Sequence, residues 1–323
     1  MPNLLTCVRM SLNHINIKGS LYDFSNPRIM GILNFTPDSF NPASRVVDNG
    51  EIKERIEKMF ADGADMVDIG GMSTRPGSRI IDADEEWSRL LPALEIVARY
   101  FPDRIFSLDT FRAEIARRAV SDYGISIVND ISAGDADPLM FETVASLHVP
   151  YIIMHGASNP LTMHNGTEYT SFPGDILHFF SEKVNKLHSL GVSDIIIDPG
   201  FGFSKTIDQN YELMEHLGDF GIFELLLLVG ISRKSMLWKY LGITVENALN
   251  GTTVLNTIAL QKGADIIRVH DVKEAVEVVK ICEKLRIIYS RDVASNVFYK
   301  LKQRKKSFVK YCCSVKSKKV CFF

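Results

Sequence analysis

Eight short apolar runs, each ending on or followed directly by a polar side chain, govern what this chain of 323 residues can become. The runs are Arg28–Asn34, Met66–Gly70, Ile105–Asp109, Ser126–Asp130, Pro150–His155, Asp194–Asp198, Leu225–Ile231 and Asp265–Val269. They are short and rich in β-branched residues, which suits buried strands. Longer amphipathic stretches lie between them and predict helices over Glu51–Asp62, Asp84–Tyr100, Arg112–Asp122, Pro138–Leu147, Asp175–Leu190, Ala248–Lys262 and Lys273–Leu285. Strands alternating with helices build parallel βαβ units, and eight of them favour a closed (β/α)8 barrel, a TIM barrel, over an open sheet. The barrel is predicted to be one catalytic domain over residues 28–288. A hairpin in 1–27 is expected to cap it, and a basic, poorly ordered tail to follow over 289–323. Within Leu4–Ser25 the hairpin is placed with Cys7–Met10 and Asn16–Lys18 either side of Ser11–Asn13, plugging the N-terminal end of the barrel.

Parallel barrel strands deliver their C-terminal ends to one face. The polar groups that close the runs should therefore converge: Asn34, Asp68 with the Thr74–Arg75 loop, Asp109, Asn129, His155, Asp198, Ser232 with Lys234, and Arg268 with His270. A single polar residue at a strand end is ordinarily a turn former or a helix cap. Eight in register are hard to explain that way, although Asp68 and His155 read equally well as structural. Arg268 and His270 are two apart, so both side chains leave the same face of their strand end.

Bulk properties narrow the class. The longest apolar stretch, Leu225–Ile231, is far shorter than the roughly 20 residues of a spanning helix, so no membrane role is expected. Met1–Lys18 shows no continuous apolar core of a secretory signal. Five cysteines, at 7, 282, 312, 313 and 321, show no metal or disulfide spacing, and a reduced cytoplasmic protein is expected. The formal net charge of −2 is unevenly divided. From Phe298 onward there are nine Lys or Arg and no acidic residue, which leaves −11 on the remainder. An acidic body of that kind is a poor nucleic-acid binder.

Seven segments, in order, resemble the dihydropteroate synthases. They are Met30–Phe40 (MGILNFTPDSF), Asp68–Gly77 (DIGGMSTRPG), Ser107–Thr110 (SLDT), Val128–Ser132 (VNDIS), Ile197–Phe203 (IDPGFGF), Gly230–Met236 (GISRKSM) and Ile267–Val272 (IRVHDV). The resemblance covers about residues 15–288. It implies joining of a dihydropterin methyl diphosphate to 4-aminobenzoate, giving dihydropteroate and diphosphate in folate synthesis. Asp198, Asn129, Lys234 and Asp109 would hold the pterin. A carboxylate such as Asp198 can accept two parallel hydrogen bonds from its amine and ring N–H. Asn34, Thr74, Arg75, Arg268 and His270 would bind the diphosphate, whose departure needs positive charge and donors. The resemblance further implies Mg2+, with Asn34 its protein ligand, since that ion keeps waters and leans on phosphate oxygens.

The implied aminobenzoate slot uses Phe40, Pro76 and Phe203, bordered by Ser232 and the stem of Lys234. Catalytic roles fall to Asp109, Lys234, Arg268 and His270, with Asp109 near the developing pterin cation. Loops Thr36–Ser44 and Ser73–Ile80 are expected to close over the site and exclude water. Inhibition by sulfonamides and a homodimer are likewise implied by the family. Departures lie in Asn41–Arg45, at Met72 and in Met154–Pro160, which touch the loops and the slot more than the pterin groups. Two other readings compete: a pterin-binding methyltransferase using methyltetrahydrofolate, and a non-catalytic pterin-binding homologue. The first has no need of the Ser-Thr-Arg-Pro-Gly loop or a diphosphate pocket.

Overall fold

The computed structural model describes residues 14–35, 49–72, 80–156 and 168–285. Eight parallel strands close into a barrel: β3 (Arg28–Asn34), β4 (Met66–Gly70), β5 (Ile105–Asp109), β6 (Ile127–Asp130), β7 (Tyr151–Met154), β8 (Ile195–Asp198), β9 (Leu226–Val229) and β10 (Ile266–Val269). Each pairs with the next in sequence, and β10 returns to β3 through Ile266–Arg28 to Val269–Gly31. The predicted TIM barrel is present, and three of its strands have the predicted bounds. The other five are shorter by one to three residues, although flanking residues such as Ser126, His155 and Asp265 still donate to the neighbouring strand.

Helices cover the outside: α1 (Asn49–Asp62), α2 (Ala83–Tyr100), α3 (Ala113–Tyr123), α4 (Met140–Leu147), α5 (Gly174–Ser189), α6 (Ile207–Glu215), α7 (Ser235–Leu241) and α8 (Leu249–Gln261). Residues 272–285 are helical as well. Neither α6 nor α7 is among the helices expected from sequence. A signal for α6 was nonetheless present: Thr206 accepts from the Gln209 N–H while the Gln209 side chain accepts from the Thr206 N–H, a reciprocal capping box.

The N-terminal hairpin exists but lies elsewhere than expected. β1 (His14–Ile17) pairs antiparallel with β2 (Ser20–Asp23), and the turn is Lys18–Gly19, not Ser11–Asn13. Both turn residues have positive φ, 52° and 78°, the backbone twist that a two-residue hairpin demands and that glycine supplies at low cost. The expected strand Cys7–Met10 lies outside the described residues, as does the basic tail. Ile15 and Ile17 of the hairpin, with Phe24, pack on Met30, Met66, Ile127, Ile152, Ile196, Leu226, Leu228 and Ile266, the lower rungs of the barrel. Each such fully buried side chain contributes about 1.5–3 kcal/mol.

Carboxylates at this lower end tie the frame together. Asp194 accepts from the Asn16 N–H at 3.0 Å, Asp65 from the Ile29 N–H at 2.8 Å and Asp265 from the Leu227 N–H at 2.8 Å. A second apolar layer, including Leu33, Val67, Ile69, Phe106 and Leu108, joins the outer strand faces to α1, α2 and α3. The chain divides into two units, Met1–Val279 and Lys280–Phe323. Residues 280–285 of the second are helical, and its remaining residues lie outside the described set.

Candidate active site

Side-chain alternation decides what reaches the barrel mouth. On β4, Asp68 and Gly70 share a face, and on β5, Ser107 and Asp109 do. Because Gly70 has no side chain, Asn34 and Asp109 can approach over it. A Cβ placed there would stand 2.9 Å from Asn34 Oδ1 and 3.4 Å from Asp109 Cβ. An amide oxygen and a carboxylate are thus brought together at the rim.

Arg268 of β10 ties the centre of the mouth. Its Nε donates to Asp68 Oδ2 at 2.7 Å, and its Nη2 lies 2.6 Å from the same oxygen and 2.9 Å from Asp109 Oδ2. Asn129 of β6 donates to Asp68 Oδ2 at 2.9 Å, leaving its amide oxygen and a second N–H for a ligand. Asp68 itself is fully buried, and its other oxygen finds no partner among the described residues. It holds Arg268 and Asn129 in place from below.

Burial pushes Asp109 up to about 7, helped by the nearby carboxylates of Asp68 and Asp130 and opposed by Arg268 and Lys234. Burial also raises Asp198, against the pull of Lys234, the Gly200 N–H, Arg268 and Lys205. Asp198 closes β8 and accepts from the Gly200 N–H at 2.9 Å. Gly200 has φ +74°, and a Cβ there would stand 1.8 Å from the His155 carbonyl oxygen, so this turn admits only glycine.

Lys234, from the β9–α7 connection, donates to the Phe201 carbonyl. Its ammonium lies 4.5 Å from the Phe203 ring centre, a cation–π contact. Burial holds its pKa down to about 8, with Asp198 and Asp109 pulling upward and Arg268 downward. Phe203 is buried with Met72, Phe111, Ile131 and Met154, an apolar patch beside the polar mouth. Ser232 is 3.0 Å from His270 Nδ1 and accepts from the His270 N–H at 3.2 Å. The hydroxyl donates to Nδ1 or accepts from it according to the ring's tautomer.

The structure thus gathers Asn34, Asp109, Asn129, Asp198, Phe203, Ser232, Lys234, Arg268 and His270 at one end of the barrel. Phe40, Thr74, Arg75 and Pro76 lie outside the described residues. The segment returning from the second loop is anchored by Arg112, which donates to the Ile81 carbonyl and to buried Glu86. Glu86 in turn accepts from the Thr110 hydroxyl at 2.7 Å. Sequence reasoning missed Lys205, a buried cation two residues beyond the Asp198–Phe203 motif. Its only signal was a lysine next to a glycine-rich turn. Burial holds its pKa near 7, opposed by Asp198 and aided by Lys234.

A family model described as pterin binding enzyme matches residues 30–270 of the chain, a span that takes in seven strands of the barrel whole and β3 from Met30 onward. The chain is 37% identical over 268 residues to the dihydropteroate synthase of Escherichia coli (strain K12), which covers 82% of this chain and 94% of that protein, so nearly the whole relative has a counterpart here. Solved structures agree. A Yersinia pestis dihydropteroate synthase in complex with a sulfonamide drug superposes with a TM-score of 0.78 at 37% identity, covering 84% of this chain and 99% of that one. A Xanthomonas albilineans dihydropteroate synthase with 4-aminobenzoic acid gives 0.78 at 30% identity, over 85% and 98%.

Proposed function

The chain belongs to the dihydropteroate synthase family of pterin-binding enzymes, and from that membership we propose the residue roles that follow. The reaction is a transfer that forms a C–N bond between a dihydropterin methylene and the amine of 4-aminobenzoate, with loss of diphosphate. The methyltransferase and non-catalytic readings give way to this one, because the matched relatives and structures are synthases.

Asp198 accepts from the pterin amine and ring N–H, its Gly200 contact fixing the carboxylate plane. Asn129, held by Asp68, presents an amide oxygen and a donor to the same edge. Lys234 donates to the pterin carbonyl or a ring nitrogen, and its stem borders the apolar slot for aminobenzoate with Phe203 and Ser232. Phe40 and Pro76 complete that slot. Arg268 engages Nε and Nη2 with carboxylates, so Nη1 is its donor to the diphosphate. His270, Arg75 and Thr74 supply the remaining donors as charge grows on the leaving oxygen. Asp109, negative and beside Arg268, stabilises the positive charge that develops on the pterin methylene. The aromatic amine is already nucleophilic when unprotonated, so no strong base is required.

The residues present suit a Mg2+ ion. Asn34 offers a neutral amide oxygen held beside the Asp109 carboxylate, and no group of three or more His, Cys, Asp or Glu that could hold a metal occurs among the described residues. A site with so few protein oxygens fits an ion that keeps water and binds phosphate. When bound, it would neutralise charge on the diphosphate.

A homodimer fits the exposed apolar side chains Tyr240 and Leu241 of α7 and Val254 of α8, and light scattering tests it. A reducing, cytoplasmic setting fits the five cysteines of the sequence, which show no disulfide or metal spacing. The slot for aminobenzoate makes a sulfonamide, its mimic, an expected competitor.

The observation that carries the reading is the convergence of Asp198, Lys234 and Arg268 on one mouth. The experiment is a coupled assay of diphosphate release with the pterin diphosphate and 4-aminobenzoate. Dihydropteroate and diphosphate should form in equal amounts, only with both substrates and Mg2+. Turnover without the amine, or none with all three, overturns the assignment.

A further inference from the structure

Behind the turn that follows β8 lies a buried amine, a cation on the acid side of about pH 7, that the mechanism above does not use. Lys205 is 8% exposed, and its ammonium meets three acceptors: His155 Nδ1 at 3.0 Å, the Gly200 carbonyl at 3.0 Å and the Phe203 carbonyl at 3.1 Å. An ammonium has three N–H donors and no acceptor, so its hydrogen bonds are saturated and it has no donor to offer a substrate. His155 can accept because it is neutral. Burial, aided by Lys205, holds its pKa down to about 3. Its ring packs edge-on against Phe179 and beside Tyr169, whose hydroxyl donates to the Ser204 carbonyl at 2.7 Å.

The turn so clamped carries the partners of two site residues. The Gly200 N–H binds Asp198, the Phe201 carbonyl receives Lys234, and the Phe203 ring lies under the same ammonium. Asn210 supports it from behind, its Oδ1 accepting from the Gly202 N–H at 2.6 Å and its Nδ2 donating to the Thr206 carbonyl at 2.7 Å.

We propose that Lys205, seated on neutral His155, is a positioning residue for the pterin and amine sites: it fixes the 200–203 turn and supplies a buried positive charge that keeps Asp198 a carboxylate. The proposal rests on the reading of Asp198 as the group that holds the pterin edge. The charged groups facing Asp198 are Lys234 from the β9–α7 connection, Arg268 from β10 and Lys205 from its own turn. Those facing Lys205 are Asp198 and Lys234, with neutral His155 from the end of β7. Removing one of three cations that favour an ionised, buried carboxylate lets burial raise it further.

The test is equilibrium binding of a dihydropterin lacking the diphosphate, followed across pH in the full chain carrying Asp109→Asn, so that Asp198 is the carboxylate left to titrate at the pterin edge. Adding Lys205→Met should move the pH at which binding is half lost upward by about one unit, the scale of a removed nearby charge. In the Asp109 background, Lys205→Met should also lower kcat through the loosened turn. An unmoved binding limb, with only a lower unfolding temperature, overturns the proposal. If Lys205→Met does not fold, Lys205→Arg serves in the same titration: charge is kept while the planar fork cannot address all three acceptors. The limb should then stay in place with kcat reduced, and a moved limb overturns the proposal. Asp198→Asn in the same background separates the two readings. It should abolish the pH-dependent binding, and pH-dependent binding that persists shows that the Asp198 assignment, not the Lys205 one, has failed.

Discussion

Arg268 and Asp109 meet across the barrel mouth, Nη2 of the arginine donating to Oδ2 of the carboxylate at 2.9 Å, although 159 residues separate them in the chain. The same guanidinium grips Asp68, so one cation bridges two carboxylates. Under the roles proposed above, that arrangement lets Asp109 be negative next to a developing cation while Arg268 keeps Nη1 for a leaving phosphate.

Replacing Arg268 should therefore damage both chemistry and fold. Arg268→Ala removes a charge aimed at the leaving group, and a loss of at least about a hundred-fold in kcat/KM is expected. It also strands Asp68, which is fully buried, and breaking a buried pair costs about 3–5 kcal/mol. Initial rates and thermal unfolding on the same preparation check both. Arg268→Lys keeps charge but loses the fork, and should recover stability more than rate.

The pH profile follows from two side chains. With the roles proposed above, the reaction needs Asp109 ionised and Lys234 protonated. With Asp109 pushed up to about 7 and Lys234 held down to about 8, kcat/KM should rise through the first value and fall through the second. Lys234→Met should abolish the alkaline fall along with most activity, while Asp109→Asn abolishes the acid rise. An alkaline limb that persists in Lys234→Met assigns it to another group.

Two glycines should fail in different ways. Gly70→Ala pushes on Asn34 Oδ1 and Asp109 at the rim, where only side chains need shift. It is expected to raise the Mg2+ concentration needed for half-maximal rate several-fold, with little change in unfolding temperature. Gly200→Ala collides with the His155 backbone at positive φ. Loss of soluble, folded protein is the expected outcome there, read by circular dichroism and yield.

At the opposite end, Ile17→Ala should remove about 2–4 kcal/mol of stability by leaving a cavity under the barrel floor. Because Ile17 packs on the lower rungs, kcat and KM should be unchanged at temperatures where the variant is folded. Denaturant unfolding measures the first and steady-state rates the second. A changed KM would show that the plug communicates with the mouth.

The alternation of apolar runs with amphipathic stretches was enough to establish the barrel, because a strand buried on both faces must be continuously apolar and a covering helix must be striped. The polar residue after each run also located the rim, because parallel strands leave only one end for it. Some local elements escaped. The helices α6 and α7 went unread although Thr206 and Gln209 carry a capping signal for α6, and the hairpin turn at Lys18–Gly19 was passed over for Ser11–Asn13. What a linear string could not reveal was pairing. Asp68 reads in sequence as one more strand carboxylate, and only the closed barrel sets it under Arg268, 200 residues away. Lys205 reads as a surface lysine beside a turn, and only the packing of β7 against β8 buries it on His155. Local sequence dictates backbone period and turn chemistry, whereas the charge state and role of a side chain depend on which distant groups exclude water from it, and that is decided when the barrel closes.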